Sequence, residues 1–264
     1  MIDVHCHLNF KAYNDDLEDV LERAKKIGVE KIINVGTSIE SSQKAVELAK
    51  KYKNLYAIVG IHPHHADKLG QGWEKEIEKL AKKSKVLAIG EIGLDYYSYE
   101  TNGVVDPKLQ IEVFEAQIQI AKNVGLPLQI HNRQAGKDIV EILRHYKNLL
   151  KETPGMFHCF AADFKVLKNV LDLGFFVGYD GNITYKGIAK GETVALYELL
   201  SKTPIERLVI ETDAPFLTPE PHRGGRNEPS YVIITAKYIA QTLGMSFDEI
   251  DTKTTLNANK IFNL

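Results

Sequence analysis

The chain has 264 residues, 33 Lys plus Arg against 35 Asp plus Glu, a formal net charge of −2 and 44% hydrophobic residues. This balance belongs to a folded protein with a sizeable core and excludes disordered, collagen-like and low-complexity classes. A nearly neutral chain does not attract nucleic acid as a whole, so a polyanionic substrate has to be caught by a local basic patch or by metal ions.

Short apolar runs alternate with amphipathic stretches along the whole chain. Ile2 to Val4 is followed by a helical pattern over 15–28, where Leu17, Val20, Leu21, Ala24 and Ile27 recur at helical spacing before Gly28. Lys31 to Val35 precedes a helix over 41–51, and Leu55 to Ile61 one over 73–83. Val86 to Ile89 precedes 108–124, Pro127 to Ile130 precedes 136–150, Met156 to Phe157 precedes 163–173, and Phe175 to Val177 precedes 191–201. Arg207 to Ile210 is followed by two helical patterns, 229–243 and 246–260. The second opens on a capping box, Ser246 with Glu249.

Runs rich in Ile and Val that barely alternate suit parallel strands buried on both faces. Eight such units with no linker between them predict an α/β fold, a single (β/α)8 TIM barrel over 1–264. A doubly wound sheet is the competing architecture, and it would call for a Gly-rich phosphate loop that this sequence lacks. No apolar run approaches the roughly 18 residues of a membrane helix. The start of the chain has no leader pattern, and Cys6 and Cys159 are too few for a disulfide framework. The expectation is a cytoplasmic protein that needs neither a membrane nor a protein partner.

The residues able to do chemistry gather where the predicted strands end: His5 and His7, Glu91, His131, His158, then Glu211 and Asp213. In a barrel these ends meet at one rim, the face that carries active sites. His5 and His7 are two apart in a strand, so both imidazoles face one side and can share a metal ion. A carboxylate directly after an apolar run is costly unless it is paired or binds a cation. Glu91 has two oxygens and is expected to bridge two ions rather than pair with Arg133. His131 and His158 complete a second N/N/O set with Glu91. Of Glu211 and Asp213, one can bind metal while the other holds a neighbouring ligand. Alternation turns Cys6 and Cys159 away from the site. His62 and His64 are candidates for phosphate contacts on the rim, as are Arg133 and the arginines Arg223 and Arg226 of the loop after the last strand. Tyr96, Tyr97 and Tyr99 read as packing more than as a base-stacking surface.

The motifs His5-Cys6-His7, Gly60 to His64, Gly90 to Tyr97, Phe157 to Phe160, Glu211 to Leu217 and Pro221 to Val232 resemble the TatD family of metal-dependent deoxyribonucleases, which belongs to the amidohydrolase-like barrels. The resemblance runs from residue 2 to Phe262. It implies a divalent-metal barrel that hydrolyses phosphodiesters, often from 3′ to 5′, acting on a single-stranded DNA end, with RNA as a further substrate. It also implies the ligand set His5, His7, Glu91, His131, His158 and Asp213. Asp213 is then the expected general base, beside Glu91 as a catalytic carboxylate and Glu211 as the supporting acid. Two ions are expected: the imidazole-rich donors suit Zn2+ or Mn2+, while the family points to Mg2+. Residues 132–134 read Asn-Arg-Gln where the family favours Ser-Arg-Asp, residues 161–162 read Ala-Ala for Ser-Gly, and the segment from Ser98 to Pro107 is long. Alternative reactions at the same metals are hydrolysis of an aminoacyl-tRNA ester or of a cyclic amide.

Overall fold

The apolar runs close into a ring of parallel strands wrapped by helices in the computed structural model, which describes residues 1–100 and 103–264. The strands are β1 (Ile2–Cys6), β2 (Lys31–Val35), β3 (Leu55–Val59), β4 (Val86–Asp95), β5 (Leu128–Arg133), β6 (Gly155–Phe157), β7 (Phe176–Tyr179) and β8 (Leu208–Ile210). Each pairs in parallel with the next, in the order β1 to β8. A bridge between Cys6 and Ala214 closes the ring. At this seam the His7 N–H donates to the Ala214 carbonyl at 2.7 Å and the Asp213 N–H to the His5 carbonyl at 2.9 Å. The first and last chemistry-bearing motifs of the chain are thereby held side by side. Within the Ser98–Pro107 segment, residues 101 and 102 lie outside those described, and Tyr99 bridges to Gly103.

The helices are α1 (Leu17–Lys26), α2 (Ile39–Lys51), α3 (Trp73–Ala81), α4 (Pro107–Val124), α5 (Gly136–His145), α6 (Phe164–Asp172), α7 (Leu196–Lys202), α8 (Val232–Leu243) and α9 (Phe247–Phe262). The capping box forms as expected. Ser246 Oγ accepts the Glu249 N–H at 3.2 Å, and Glu249 Oε2 accepts the Ser246 N–H at 2.9 Å. The helix expected over 191–201 starts only at Leu196, where Glu198 caps the Ala195 N–H at 3.2 Å. The helix expected over 136–150 ends at His145 and is followed by a 3-10 turn, Lys147–Leu149.

The buried apolar side chains form two clusters. The outer one lies between strands and helices. The inner one fills the barrel with Ile2, Val4, Ile33, Val35, Ile58, Ala88, Met156, Phe176 and Val209, closed by Ala258, Ile261 and Phe262 of α9. The other mouth of the barrel is left for polar groups. Two interruptions of the strand ladder turn those groups inward. In β1 the register shifts between Asp3 and Cys6; Val4 belongs to the inner cluster and Cys6 to the outer one, although an unbroken strand would put both on one face. In β4 the register shifts between Ile89 and Ile92, and Ala88 is inner while Ile92 is outer. A shift of one residue exchanges the faces of everything beyond it. The donors at positions 5, 7 and 91 therefore sit above the inner core rather than against the helices.

Candidate metal centre

A cavity of about 580 Å³ occupies the open mouth. Its floor is built first by His5 and His7. The Nδ1 of His5 lies 2.9 Å from Gln129 Oε1, and the Nδ1 of His7 lies 2.9 Å from the Val35 carbonyl. Gln129 donates its amide to the Val4 carbonyl at 3.0 Å, which fixes Oε1 as the atom facing His5. Both acceptors require a proton on Nδ1, so each neutral ring turns a lone pair on Nε2 into the cavity. These two Nε2 atoms are 3.1 Å apart. Asp213 Oδ1 lies 3.5 Å from the first and 3.4 Å from the second, and Glu91 Oε2 lies 3.6 and 3.7 Å from them. Four acceptors converge on one point. Burial works against charge on His7, but Asp213 and Glu91 outweigh it and raise its pKa, whereas burial and the neighbouring imidazoles hold His5 well below its ordinary value. A divalent cation fits these four converging donors.

The other oxygen of Glu91 faces the opposite way. Its Oε1 lies 2.7 Å from His131 Nδ1 and 2.9 Å from His158 Nε2, and these nitrogens are 3.4 Å apart. Glu91 thus presents one oxygen to each pair of imidazoles. Among the described residues it makes no ion pair with Arg133. Burial would lift Glu91, but the surrounding imidazoles hold it well below the usual carboxylate range. His131 Nε2 is held from behind by Asp95 Oδ2 at 3.1 Å, and that oxygen also accepts the Tyr99 hydroxyl at 3.0 Å and lies 3.0 Å from His64 Nε2. Burial disfavours charge on His131, yet Asp95 and Glu91 push its pKa up to about 9. The sequence reading missed Asp95, although its signal was present: positions 91, 93 and 95 share one face of β4. Gly93, at φ +141, is required there because a Cβ would fall 2.0 Å from the His131 carbonyl oxygen.

Asp213 sits at φ +54, where the chain leaves β8 and returns to β1. Glu211 is fully buried beneath it. Its Oε1 accepts the Cys159 N–H at 2.5 Å and lies 3.8 Å from His158 Nδ1, while its Oε2 has no hydrogen-bond partner among the described residues. Burial first, then Asp180 and Asp213, push its pKa far above the usual range. Gly178 leaves the room Glu211 needs, since a Cβ there would lie 2.5 Å from Oε1. Cys6 points outward and its thiol donates to the Ile33 carbonyl at 3.6 Å, as alternation requires. Cys159 does not follow that expectation. It lies beyond the end of β6, at φ +44, and lines the cavity, where Asn182 Nδ2 donates to its sulfur at 3.3 Å.

The rim divides the predicted phosphate contacts. His62, His64 and Arg133 line the cavity. His62 Nδ1 accepts the His64 N–H at 3.1 Å, so its neutral ring carries the proton on Nε2, 3.5 Å from Glu91 Oε1. Arg133 stacks 4.2 Å over the Tyr97 ring and donates to the Tyr99 hydroxyl at 3.2 Å. The two loop arginines are placed elsewhere. Arg226 does not line the cavity; it forks onto Asp16 at 2.8 and 2.5 Å and lies 4.7 Å over Tyr13. The cause is Asn227, whose buried amide donates to Thr212 and Phe216 at 2.7 and 2.6 Å and folds the loop back toward α1. Arg223 is 55% exposed and does not itself line the cavity, but it stacks 3.9 Å over Tyr185, which does.

A family model described as TatD related DNase matches residues 2–263. A Bacillus subtilis protein named as the uncharacterized metal-dependent hydrolase YabD is 40% identical over all of this chain and 99% of its own. A protein from Erwinia tasmaniensis named 3′-5′ ssDNA/RNA exonuclease TatD is 32% identical over the whole of both chains. The crystal structure of the TatD homologue YjjV from Escherichia coli superposes with a TM-score of 0.90 at 27% identity, covering 100% of this chain and 98% of the other.

Proposed function

The chain belongs to the TatD-related DNase family and is a metal-dependent hydrolase, and from that premise we propose that it hydrolyses phosphodiester bonds at the end of a single-stranded DNA or RNA, removing nucleotides from 3′ to 5′. The reading rests above all on one observation, the two oxygens of Glu91 facing two separate pairs of imidazole lone pairs. His5, His7 and Asp213 would hold one divalent ion and His131 and His158 a second, with Glu91 offering one oxygen to each group. Mn2+ or Zn2+ suits these nitrogen-rich donors, with Mg2+ as the family's alternative. Bound there, such a pair supplies Lewis acidity toward a phosphoryl oxygen and toward the attacking water.

The chain's own groups do the rest. Asp213 lies at the mouth of the floor, and its carboxylate takes the proton of the attacking water. Glu211 orders the Cys159 backbone and so the His158 turn beside it. The protonated Nε2 of His62 and the guanidinium of Arg133 hold phosphate oxygens at the rim. The exonuclease name of the Erwinia relative supports the choice of substrate. Among the described residues no helix is long and apolar enough to cross a membrane, and two free cysteines suit a reducing cytoplasm as the place of action.

The test is turnover of 5′- and 3′-labelled oligonucleotides by chelated and metal-restored protein, beside an aminoacyl-tRNA ester and a cyclic amide. Metal-dependent loss of 3′ nucleotides is expected. Hydrolysis of the ester or the amide without any cleavage of oligonucleotides would replace this reading.

A further inference from the structure

A second cavity, of about 450 Å³, lies beside the first. Phe10 and Phe216 line both, so the two spaces share an aromatic wall. The Phe10 ring stacks on the imidazole of His7 with centroids 4.6 Å apart, and Phe216 meets Phe10 edge-on at 6.2 Å. A continuous row of rings therefore leads from a donor of the metal centre to the neighbouring cavity. Phe216 is 51% exposed, which leaves its ring open to a stacking partner. The second cavity is also lined by Lys11, Lys44, Glu40, Ser38 and Ser41. Lys44 pairs with Glu40 at 2.9 Å, and Lys11 makes no ion pair among the described residues. Two lysines against one glutamate leave one surplus positive charge in a protein whose net charge is −2.

An exposed aromatic face followed by flexible cations is the arrangement that holds a single strand without reading its sequence, a base on the ring and a phosphate on the ammonium groups. We propose that the second cavity is a subsite for the nucleotide next to the one being released: its base stacks on Phe216 and its phosphate is held by Lys11 and Lys44. The inference rests on the phosphodiesterase reading above and extends it. It makes the protein selective for polynucleotide strands over isolated diesters, because a small diester fills only the first cavity. Selectivity comes from stacking and charge, so the strand's base sequence is of little consequence.

The experiment compares kcat/KM of the metal-loaded enzyme for hexathymidylate and for the p-nitrophenyl ester of thymidine 5′-phosphate. Binding of a fluorescent, non-hydrolysable phosphorothioate hexamer is measured alongside by anisotropy. The wild type should prefer the hexamer. Phe216→Ala should shrink that preference, and weaken hexamer binding, by about 5- to 150-fold, the usual worth of one stacked base. Phe216→Tyr should restore it. The double variant Lys11→Ala/Lys44→Ala should weaken binding and flatten its dependence on salt by about 0.7 in log–log slope per lysine. Wild-type preference and binding in both variants would overturn the subsite. So would a wild type that turns over both substrates equally well, and that result leaves the phosphodiesterase reading standing. Failure to cleave either substrate would remove both readings together.

Discussion

The two halves of the donor set differ in what stands behind their imidazoles. On one side, His5 and His7 are held by a glutamine oxygen and a backbone carbonyl, neutral dipoles that fix the tautomer without adding charge. On the other, His131 is held by the Asp95 carboxylate, and His158 Nδ1 has no hydrogen-bond partner among the described residues, with Glu211 3.8 Å away. Basicity does not follow that division alone: burial and neighbouring imidazoles hold His5 well below its ordinary value, Asp213 and Glu91 raise His7, and Asp95 and Glu91 push His131 up to about 9. A carboxylate behind an imidazole makes it a stronger ligand and also a stronger base, so an ion held through His131 would compete with a proton there. Glu91 alone belongs to both halves.

The substitution with the largest expected effect tests that shared membership. Glu91→Ala removes one oxygen from each half, so turnover should fall to that of chelated protein and elemental analysis should find both ions weakened. Retention of two tightly held ions would mean that the halves are independent. Next in size is Asp213→Asn, which keeps one oxygen for the ion and loses the proton acceptor. We expect kcat to drop by about 10²–10⁴ with a smaller change in KM. If Asp213→Asn instead loses metal while kcat at saturating metal is normal, Asp213 is a ligand only.

Asp95→Asn sharpens the contrast itself. It should weaken one ion by about 10–100-fold and leave the other unchanged, so that titration against a chromophoric chelator becomes biphasic. Equal weakening of both would break the distinction between charged and neutral support. The smallest effect is reserved for a residue outside both halves. Arg226→Ala removes a partly exposed pair with Asp16 and should cost at most about 1 kcal/mol in thermal or denaturant unfolding. It should leave KM for an oligonucleotide unchanged, whereas Arg133→Ala should raise it. A raised KM in Arg226→Ala would show that the loop leaves Asp16 and reaches the strand.

Much of this site could be read from the residues because strands impose direction. His5 and His7 two apart, His131 and Arg133 two apart, and acids after apolar runs all land at one rim when eight strands close in sequence order. Loops impose no such rule. Arg223 and Arg226 flank Gly224 and Gly225 in a loop whose course is set by Asn227 and by Tyr13, whose hydroxyl donates to the Asn227 carbonyl at 2.6 Å. Cys159 escapes the alternation argument for the same reason, since the strand has already ended.

Asp95 and Gln129 show a second limit. Each looks in the sequence like one more polar residue in a strand, and each acquires its role only from the strand beside it. Gln129 reaches His5 from 124 residues away, and Asp95 reaches His131 from 36. The periodicity of apolar residues determined the barrel, its order and the rim at which the candidate donors gather, because burial rewards every residue of a face and so is written many times over. The inward turn of those donors was decided by two one-residue register shifts, in β1 and β4, and the tautomers of His5 and His7 by atoms on other strands. Those are single events of tertiary packing, and no local pattern in the chain repeats them.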